Sequence, residues 1–597
     1  MPPRLLKTVS VWLWLAGCAH APVPAPMAPI EAPRPADSAP VLPPADPIAE
    51  PAPPPPPPPP VFDVAAKLKR MTLEQKIGQL MMVGFGGQTM DPKIEELVKG
   101  LQVGGICIFK RNIADPAQLA RFNDALRELL ADGVPPFIAV DQEGGNVVRI
   151  SDGVTVLPGN MALGATRSSK LAWEAGKAQG EDLRRLGFNM NLAPVLDVNL
   201  NPLNPVIGIR SFSDQVSLVS QMGADFVRGQ QESNIVTIAK HFPGHGSVDA
   251  DSHRGLPVLE ETEAEVLTGL EPFLAAMKVG LDGVMTAHIA VPKITGDGLP
   301  ATLSRPILTG LLRERLGFGG LVLTDELEME AIVERYGVGK AAVMALNAGA
   351  DMVLIPWRAE KKAEVHAALL EAAQNGELSA QRLDEAVTRI LELKLKRGVF
   401  ERPAPLEQRL AALGSGKAVS AEIARGAVTL LRADQHFPLL RTQRVAVVTA
   451  EGSLAKAIRA RVPLAQTLVV SQLPREKDRN ALKLETKRLA EGADVIVVGV
   501  VNARQLELVT MAALSGKPVL VVVMGLPYLG AQMPDVKTVM VVYSSRETAT
   551  EAATAALFGE YGTPGKLPVT MQKMPFGFGI NPVGEKRAAR GDAKGAR

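Results

Sequence analysis

Between about residues 62 and 400, short apolar runs alternate with longer segments whose apolar residues recur every three or four positions. This alternation, at roughly 30-residue spacing, is typical of repeated βα units around a parallel sheet. Eight parallel strands close a TIM-type (β/α)8 barrel, and the pattern contains eight such runs. The predicted strands are Leu80–Phe85, Gly105–Phe109, Phe137–Asp141, Met190–Asp197, Val236–Lys240, Gly283–His288, Leu321–Asp325 and Met352–Pro356.

The segments between these runs predict the outer helices of the barrel. Pro116–Leu130, Ala172–Leu186 and Val216–Glu232 have the 3.6-residue apolar period of amphipathic helices. The pattern therefore predicts an α/β chain with a TIM-type barrel over residues 62–400.

A second set of apolar runs follows a charged connector at 401–442. Because helical segments separate these runs, residues 443–582 are predicted to form a smaller α/β sandwich domain with a doubly wound sheet. No Gly-x-Gly-x-x-Gly fingerprint follows any of its strands, so no dinucleotide cofactor is indicated. The predicted strands are Val445–Val448, Val495–Val500, Val519–Val523 and Val539–Val542.

The two ends of the chain have a different composition. Residues 1–18 combine an early positive charge, a short apolar run and the sequence Leu15-Ala16-Gly17-Cys18, which resembles a bacterial lipobox in which Cys18 is lipidated. An ordinary cleaved signal peptide is the alternative. Residues 19–61 are rich in Ala and Pro and predict an extended tether, and residues 583–597 predict a disordered basic tail.

Charge and cysteine content exclude several classes of protein. The 597 residues carry 65 basic and 63 acidic side chains, and 4% are aromatic, so neither a polyanion nor a nucleic-acid partner is indicated. Cys18 and Cys107 are the two cysteines, which excludes a disulfide framework. Nothing after the N-terminal segment has the uninterrupted apolar length of a membrane span.

Polar side chains end five of the eight predicted barrel strands. The carboxyl ends of barrel strands converge on the face where TIM-barrel active sites lie. A set of convergent donors and acceptors predicts a small polar substrate such as a sugar. The strand ends are Asp141, Asp197, Lys240 with His241, His288 and Asp325.

The segments around these strand ends resemble family 3 glycoside hydrolases, specifically NagZ-type β-N-acetylglucosaminidases. The resemblance covers about residues 65–400, and a weaker one extends to the second domain through Gly565-Lys566-Leu567-Pro568-Val569-Thr570. The matching motifs are Asp141-Gln142-Glu143-Gly144-Gly145, Gly208-Ile209-Arg210-Ser211-Phe212, Lys240-His241-Phe242-Pro243-Gly244-His245-Gly246, Asp251-Ser252-His253 and Thr324-Asp325-Glu326-Leu327.

The resemblance implies a retaining reaction with Asp325 as the nucleophile. Most retaining glycosidases use a second carboxylic acid as acid/base, but this subfamily uses a histidine on a mobile loop, which here is His253, oriented by Asp251. An imidazole beside a carboxylate suits this role because it titrates near neutral pH. A simple strand-end cap is the alternative for Asp325.

The resemblance also implies a set of sugar-binding residues. Asp197 and Glu143 are interpreted as supporting residues rather than catalysts, and His245 as a support of the loop. The family commonly has an arginine where this chain has Asn146, which puts aglycone recognition in doubt. The implied substrate-binding residues are Asp141, Arg149, Arg210, Lys240, His241 and His288.

Several alternatives remain open from the residues. A zinc site could be formed by His241, His245, Asp251 and His253, although their spacing does not match a helical His-x-x-x-His pair. β-Glucosidase or β-xylosidase activity, phosphorolysis, and a non-catalytic wall-binding lipoprotein are the other hypotheses.

The favoured hypothesis is a monomeric enzyme that needs neither metal nor organic cofactor. It would remove terminal β-linked N-acetylglucosamine from peptidoglycan fragments or chitin-like oligosaccharides. The lipobox places it in the cell envelope as a membrane-anchored lipoprotein that faces the periplasm, with the outer membrane preferred because Ala19 is not an aspartate.

Overall fold

Eight parallel strands form a closed barrel, as the apolar pattern predicted. The computed structural model describes residues 62–130, 133–251, 255–533 and 535–582. Each strand pairs with its neighbours in chain order, and the first pairs with the eighth, for example Met81 with Val353. The strands are β1 (Met81–Val83), β2 (Gly105–Ile108), β3 (Phe137–Val140), β4 (Met190–Asn191), β5 (Val236–Phe242), β6 (Gly283–Thr286), β7 (Leu321–Glu326) and β8 (Met352–Ile355).

The barrel strands are apolar on both faces because one face fills the barrel interior and the other packs against the helices. All residues of β1 to β6 and β8 are buried, which explains why their sequences are continuous apolar runs rather than alternating ones. The predicted helices are confirmed to within a few residues. The helices of this region, α1 to α14, are Val64–Arg70, Leu73–Gln79, Pro92–Leu101, Pro116–Glu128, Asn160–Thr166, Ser169–Arg185, Val216–Gln231, Glu263–Gly269, Glu271–Lys278, Pro292–Thr295, Glu330–Tyr336, Val338–Ala348, Ala359–Asn375 and Ala380–Lys396, with a π-helix at Pro306–Arg315.

Buried carboxylates hold the amino ends of the strands, opposite the predicted active-site face. Asp351, which precedes β8, accepts hydrogen bonds from Arg382 (2.8 Å) and Arg389 (3.0 Å) and from the backbone N–H of Val322 (2.9 Å). Arg313 also pairs with Asp351 at 2.6 Å. A charge this deeply buried is stable only when it is paired and hydrogen-bonded, so this cluster fixes β7 against β8.

The second domain is a six-stranded sheet flanked by helices. Its strand order is β11-β10-β12-β13-β14-β9, and β9 runs antiparallel to β14 whereas the other pairs are parallel. The strands are β9 (Thr429–Arg432), β10 (Val445–Thr449), β11 (Gln466–Val469), β12 (Val495–Val500), β13 (Val519–Val523) and β14 (Thr538–Val541), and the helices α15 to α20 are Leu406–Ala411, Lys417–Ala427, Gly452–Arg461, Arg479–Glu491, Leu506–Ala513 and Glu547–Leu557.

Two of these six strands were not predicted from the sequence. β9 lies within the segment predicted as a connector, and β11 lies at the edge of the sheet with an exposed residue at each end. Residues 401–442 therefore contribute helices and a sheet strand, in addition to connecting the domains.

The barrel and the second domain contact each other directly. Arg546, at the start of α20, donates a hydrogen bond to the carbonyl oxygen of Gly145 at 2.6 Å. Asn199 donates to the hydroxyl oxygen of Tyr528 at 3.1 Å. Both barrel residues lie on loops at the carboxyl ends of the strands, so the second domain touches the side of the barrel where an active site is predicted.

Parts of the sequence interpretation fall outside the described residues. These are the signal segment with Cys18, the tether at 19–61 and the basic tail at 583–597. Across the part of the chain that the structure describes, no helix combines the length and the apolar character needed to cross a bilayer.

Candidate active site

A pocket of about 750 Å³ opens at the carboxyl ends of the barrel strands. The predicted residues Asp141, Arg149, Arg210, Lys240, His241 and Asp325 all line it. All residues that line the pocket lie between Phe109 and Trp357, so its described walls belong to the barrel alone.

One side of the pocket is a network of paired charges. The Nζ atom of Lys240 lies 2.8 Å from Asp141 Oδ1 and 2.8 Å from Glu143 Oε1. Arg210 donates two hydrogen bonds to Glu143, from Nε at 2.9 Å and from Nη2 at 2.8 Å. Arg149 approaches the other oxygen of Asp141 at 3.4 Å. We call Asp141, Glu143, Arg210 and Lys240 the polar clamp.

The electrostatics of the polar clamp keep Glu143 and Lys240 ionised. Burial alone would raise the pKa of Glu143, but Arg210 and Lys240 outweigh it and hold that pKa well below its usual range. Burial likewise opposes the charge of Lys240, yet Asp141 and Glu143 raise its pKa. The clamp therefore presents fixed charges and hydrogen-bonding atoms, which suits recognition of sugar hydroxyls.

The loop that carries Glu143 folds tightly because of its glycines. Gly144 and Gly145 have φ angles of +92° and +54°, a region that residues with a Cβ rarely adopt. A Cβ atom on Gly145 would also lie 3.1 Å from the carbonyl oxygen of Pro158. These two glycines turn the chain directly after Glu143, so its carboxylate can face Lys240 and Arg210.

Asp197 organises the segment that follows β5. Its carboxylate lies 2.7 Å from Nδ1 of His241 and accepts the backbone N–H of His245 at 2.7 Å. Burial would raise the pKa of Asp197, but the interactions with His241 and His245 lower it. Asp197 is 1% exposed and is not among the residues that line the pocket, which fits the supporting role interpreted from the sequence.

His245 lines the pocket in an environment that disfavours its charged form. Burial and the neighbouring His241 lower its pKa to about 4. His245 is therefore neutral near pH 7. Gly246 follows it at a point where the chain passes very close to the preceding loop, since a Cβ there would lie 1.7 Å from the carbonyl oxygen of Val198.

Asp325 lies at the end of β7 and faces the pocket. Burial would raise its pKa, but His241, His288 and the backbone N–H of Glu326 together lower it. That N–H donates to Asp325 Oδ1 at 2.8 Å. Asp325 is therefore a carboxylate held in its ionised form, as a nucleophile requires.

His288 lies behind the pocket wall. Its Nδ1 is 2.8 Å from the hydroxyl of Thr302 and its Nε2 is 2.9 Å from the carbonyl oxygen of Glu326. It is 1% exposed and does not line the pocket. Its observed contacts therefore support the strand end that carries Asp325, whereas the sequence assigned it to substrate binding.

The predicted acid/base His253 lies outside the described residues, and Asp251 is the last described residue before it. Gly255 and Leu256, the first described residues after it, line a second cavity together with Glu330 and Glu334, and both glutamates also line the main pocket. Within the described ranges, no group of three His, Cys, Asp and Glu side chains is arranged to hold a metal ion.

Sequence reasoning missed an aromatic part of the pocket. Phe109 follows β2 and Trp357 follows β8, and both line the cavity, as does Glu328. Strand-end position was the available signal, but it was applied only to polar residues. Asn146, the departure from the family pattern, is exposed and does not line the pocket.

A barrel whose strand ends bring together a polar clamp and an ionised carboxylate that faces the same pocket defines an enzyme that acts on a hydroxyl-rich substrate. Residues 72–393 match the model of the glycosyl hydrolase family 3 N-terminal domain. The chain therefore belongs to glycosyl hydrolase family 3 and is a glycoside hydrolase.

Similar proteins include both sequences and a solved structure. The chain is 33% identical over 412 residues to beta-hexosaminidase A of Pseudoalteromonas piscicida, covering 62% of this chain and 69% of that protein. It is 38% identical over 300 residues to a beta-hexosaminidase of Thiobacillus denitrificans, covering 49% of this chain and 82% of that one. The structure of a family 3 β-N-acetylglucosaminidase from a Paenibacillus species matches with a TM-score of 0.79 and 36% identity, over 84% of this chain and 99% of that chain.

The last match shows that the two-domain arrangement is shared. Because it covers 84% of this chain, which is more than the barrel region contains, the second domain is part of the similarity, as the weaker motif resemblance in residues 565–570 suggested. The predicted fold class and family are thereby confirmed.

Proposed function

We propose that this protein is a retaining exo-β-N-acetylglucosaminidase that releases terminal β-linked N-acetylglucosamine from peptidoglycan fragments or chitin-like oligosaccharides. The observation that carries the proposal is the ionised Asp325 in the same pocket as the polar clamp. Relatives named beta-hexosaminidase, at 33% and 38% identity, support the sugar specificity.

In the first step, a carboxylate oxygen of Asp325 attacks the anomeric carbon while the bond from that carbon to the glycosidic oxygen breaks. His253 gives its proton to the departing oxygen, so the shortened glycan leaves as an alcohol. The products are a glycosyl ester on Asp325 and a neutral imidazole. The transition state resembles an oxocarbenium ion, which the negative charge of Asp325 stabilises.

In the second step, the neutral imidazole of His253 removes a proton from water as the water oxygen attacks the anomeric carbon. The ester bond to Asp325 breaks, the sugar leaves with its original configuration, and the imidazolium is restored. Asp251 holds the imidazole in the orientation that both steps need. The polar clamp binds the hydroxyls of the terminal sugar and excludes longer chains from that end.

A lipid anchor on Cys18 is part of the same proposal. It rests on the sequence Leu15-Ala16-Gly17-Cys18 and on the Ala/Pro-rich segment after it. An anchored enzyme on a tether would meet cell-wall glycan in the envelope.

Hydrolysis of paired 4-nitrophenyl β-glycosides tests the activity. We expect the N-acetylglucosaminide to be cleaved far faster than the glucoside, with or without added phosphate, and Asp325→Asn to abolish both reactions. A preference for the glucoside would contradict the sugar specificity. Release of N-acetylglucosamine 1-phosphate in the presence of phosphate would show that the enzyme is a phosphorylase and would contradict hydrolysis.

A further inference from the structure

Trp357 is a rigidly held aromatic side chain at the edge of the active-site pocket. Its backbone N–H donates to Glu328 Oε2 at 2.7 Å, and the N–H of Arg358 donates to Glu328 Oε1 at 3.0 Å. One carboxylate thus fixes the second and third residues after the end of β8. The backbone direction of Trp357 is therefore set before any ligand binds.

The indole ring is also fixed by its neighbours. The ring of Phe109 lies 4.8 Å from it, centroid to centroid, and the guanidinium carbon of Arg111 lies 4.1 Å from its centroid. Arg111 is held in turn by the carbonyl oxygens of Phe85 (2.9 Å) and Pro356 (3.1 Å). These contacts orient the ring as aromatic and cation–π packing does elsewhere.

About half of this residue remains accessible despite these contacts. Trp357 is 48% exposed although it lines the pocket, whereas Lys240 and Glu143 in the polar clamp are each 3% exposed. Exposure therefore increases from the clamp to Trp357. If the terminal sugar binds at the clamp, a second ring would reach the exposed rim where Trp357 lies.

We propose that Trp357 is a stacking platform for the second sugar ring, the one that departs when the terminal N-acetylglucosamine is released. This inference rests on the proposed function. The C–H face of a pyranose is apolar and packs on an aromatic face, and a ring that is already oriented loses little entropy on binding. Cavities of about 300–1,000 Å³ accommodate ligands larger than a monosaccharide, and this pocket measures about 750 Å³.

Two substrates with the same terminal sugar test the platform. Methyl β-N-acetylglucosaminide has no second ring, and N,N′-diacetylchitobiose has one. We expect Trp357→Ala to lower kcat/KM for the disaccharide by roughly 3- to 10-fold and to leave the methyl glycoside unchanged. Trp357→Phe, which retains an aromatic face, should restore most of the disaccharide activity.

Trp173 provides the matched control, because its Nε1 bonds Glu232 on the outer helices, at 2.8 Å, and it does not line the pocket. Trp173→Ala should affect neither substrate. Equal losses for both substrates in Trp357→Ala, or no loss for either, would overturn the platform while leaving the proposed function intact.

A binding measurement in an inactive variant tests the stacking platform independently of hydrolysis. In the full-length Asp325→Asn protein, N,N′-diacetylchitobiose should change the tryptophan fluorescence. Adding Trp357→Phe should remove that change, and adding Trp173→Phe should not. If the wild type hydrolysed neither substrate but the Trp357-dependent fluorescence change persisted, only the proposed function would fail. A fluorescence change that did not depend on Trp357 would overturn the stacking platform.

Discussion

At the scale of single residues, the polar clamp explains how one buried site can hold four charges. Lys240 contacts Asp141 and Glu143, and Arg210 contacts Glu143 through two bonds. The pairing joins residues 99 positions apart in the sequence, so no local pattern reveals it. Strand-end position nevertheless predicted four of the residues that line the pocket, Asp141, Lys240, His241 and Asp325, because parallel strands bring their carboxyl ends to one face.

The clamp makes stability depend on pH through Glu143. Because the pKa of Glu143 is lowered in the folded state, its carboxylate stabilises the fold above its unfolded pKa of about 4.3, and this contribution is lost as the pH falls below that value. We expect Glu143→Gln to lower the free energy of unfolding by about 3–5 kcal/mol at pH 7, since it leaves buried cations unpaired. Urea unfolding at pH 7 and pH 3.5 measures this effect. If the difference in free energy of unfolding between Glu143→Gln and the wild type is not smaller at pH 3.5 than at pH 7, the proposed role of the Glu143 carboxylate is contradicted.

Asp325 sets a limit on the acid side of the pH–rate profile. Its pKa lies below the ordinary 3.8, so the nucleophile stays ionised down to about pH 4. We expect kcat/KM for the 4-nitrophenyl glycoside to show no loss from Asp325 between pH 7 and pH 4.5. A fall in kcat/KM below about pH 6 that persists in both Asp251→Asn and His253→Ala would arise from neither of those residues. It would indicate that the pKa of the nucleophile is raised, which would contradict this assignment.

The role of His253 is open to a leaving-group test. A general acid matters most when the departing oxygen is a poor leaving group. We expect His253→Ala to reduce turnover of the methyl glycoside at least tenfold more than turnover of the 4-nitrophenyl glycoside. Equal losses would count against an acid role.

At the scale of elements, the sequence predicted the positions of all eight barrel strands because they are buried almost throughout. The fourth strand was predicted as Met190–Asp197 but ends at Asn191, so Asp197 lies on the loop beyond it. β9 and β11 were missed for identifiable reasons. β9 is a four-residue strand within a charged segment, and β11 has exposed residues at both ends, so neither forms a long apolar run. The aromatic rim of the pocket was missed because Phe109 and Trp357 are not polar, although they also follow strand ends.

The contact between α20 and the loop after β3 gives the second domain a positioning role. Arg546 donates to the carbonyl oxygen of Gly145, two residues after Glu143. We expect Arg546→Met to raise KM for the 4-nitrophenyl glycoside, with kcat/KM falling about tenfold, or roughly 1.4 kcal/mol. Arg546→Lys should recover part of this loss because lysine can still donate to the carbonyl.

Arg432 is the matched control for Arg546. It is also half-buried and donates to backbone carbonyls, those of Gly530 and Met533, but within the second domain. Arg432→Met should lower Tm without raising KM. If both variants changed Tm and KM alike, the Arg546 contact would be a stability effect only.

At the scale of the whole molecule, the barrel supplies the described walls of the pocket and the second domain supports its loops from outside. The structure of the Paenibacillus enzyme matches 84% of this chain, which includes residues of both domains. The outer parts of the sequence, residues 1–61, carry the proposed anchor and tether and can be tested independently of the catalytic body.

Cys18→Ser tests the anchor. A diacylated cysteine holds a protein on a membrane because each buried CH₂ contributes about 0.8 kcal/mol. We expect the wild type to fractionate with membranes and Cys18→Ser to appear in the soluble fraction with unchanged kcat/KM. Membrane association that survives the substitution would contradict lipidation at this residue.

The proposed mechanism depends on a covalent glycosyl ester on Asp325. Its most direct measurement is mass spectrometry of the protein after reaction with a slowly released fluorinated N-acetylglucosamine donor, followed by peptide mapping. We expect a mass increase of one sugar on the peptide that contains Asp325, and none in Asp325→Asn. A label on another peptide, or turnover of the donor without any covalent adduct, would contradict it.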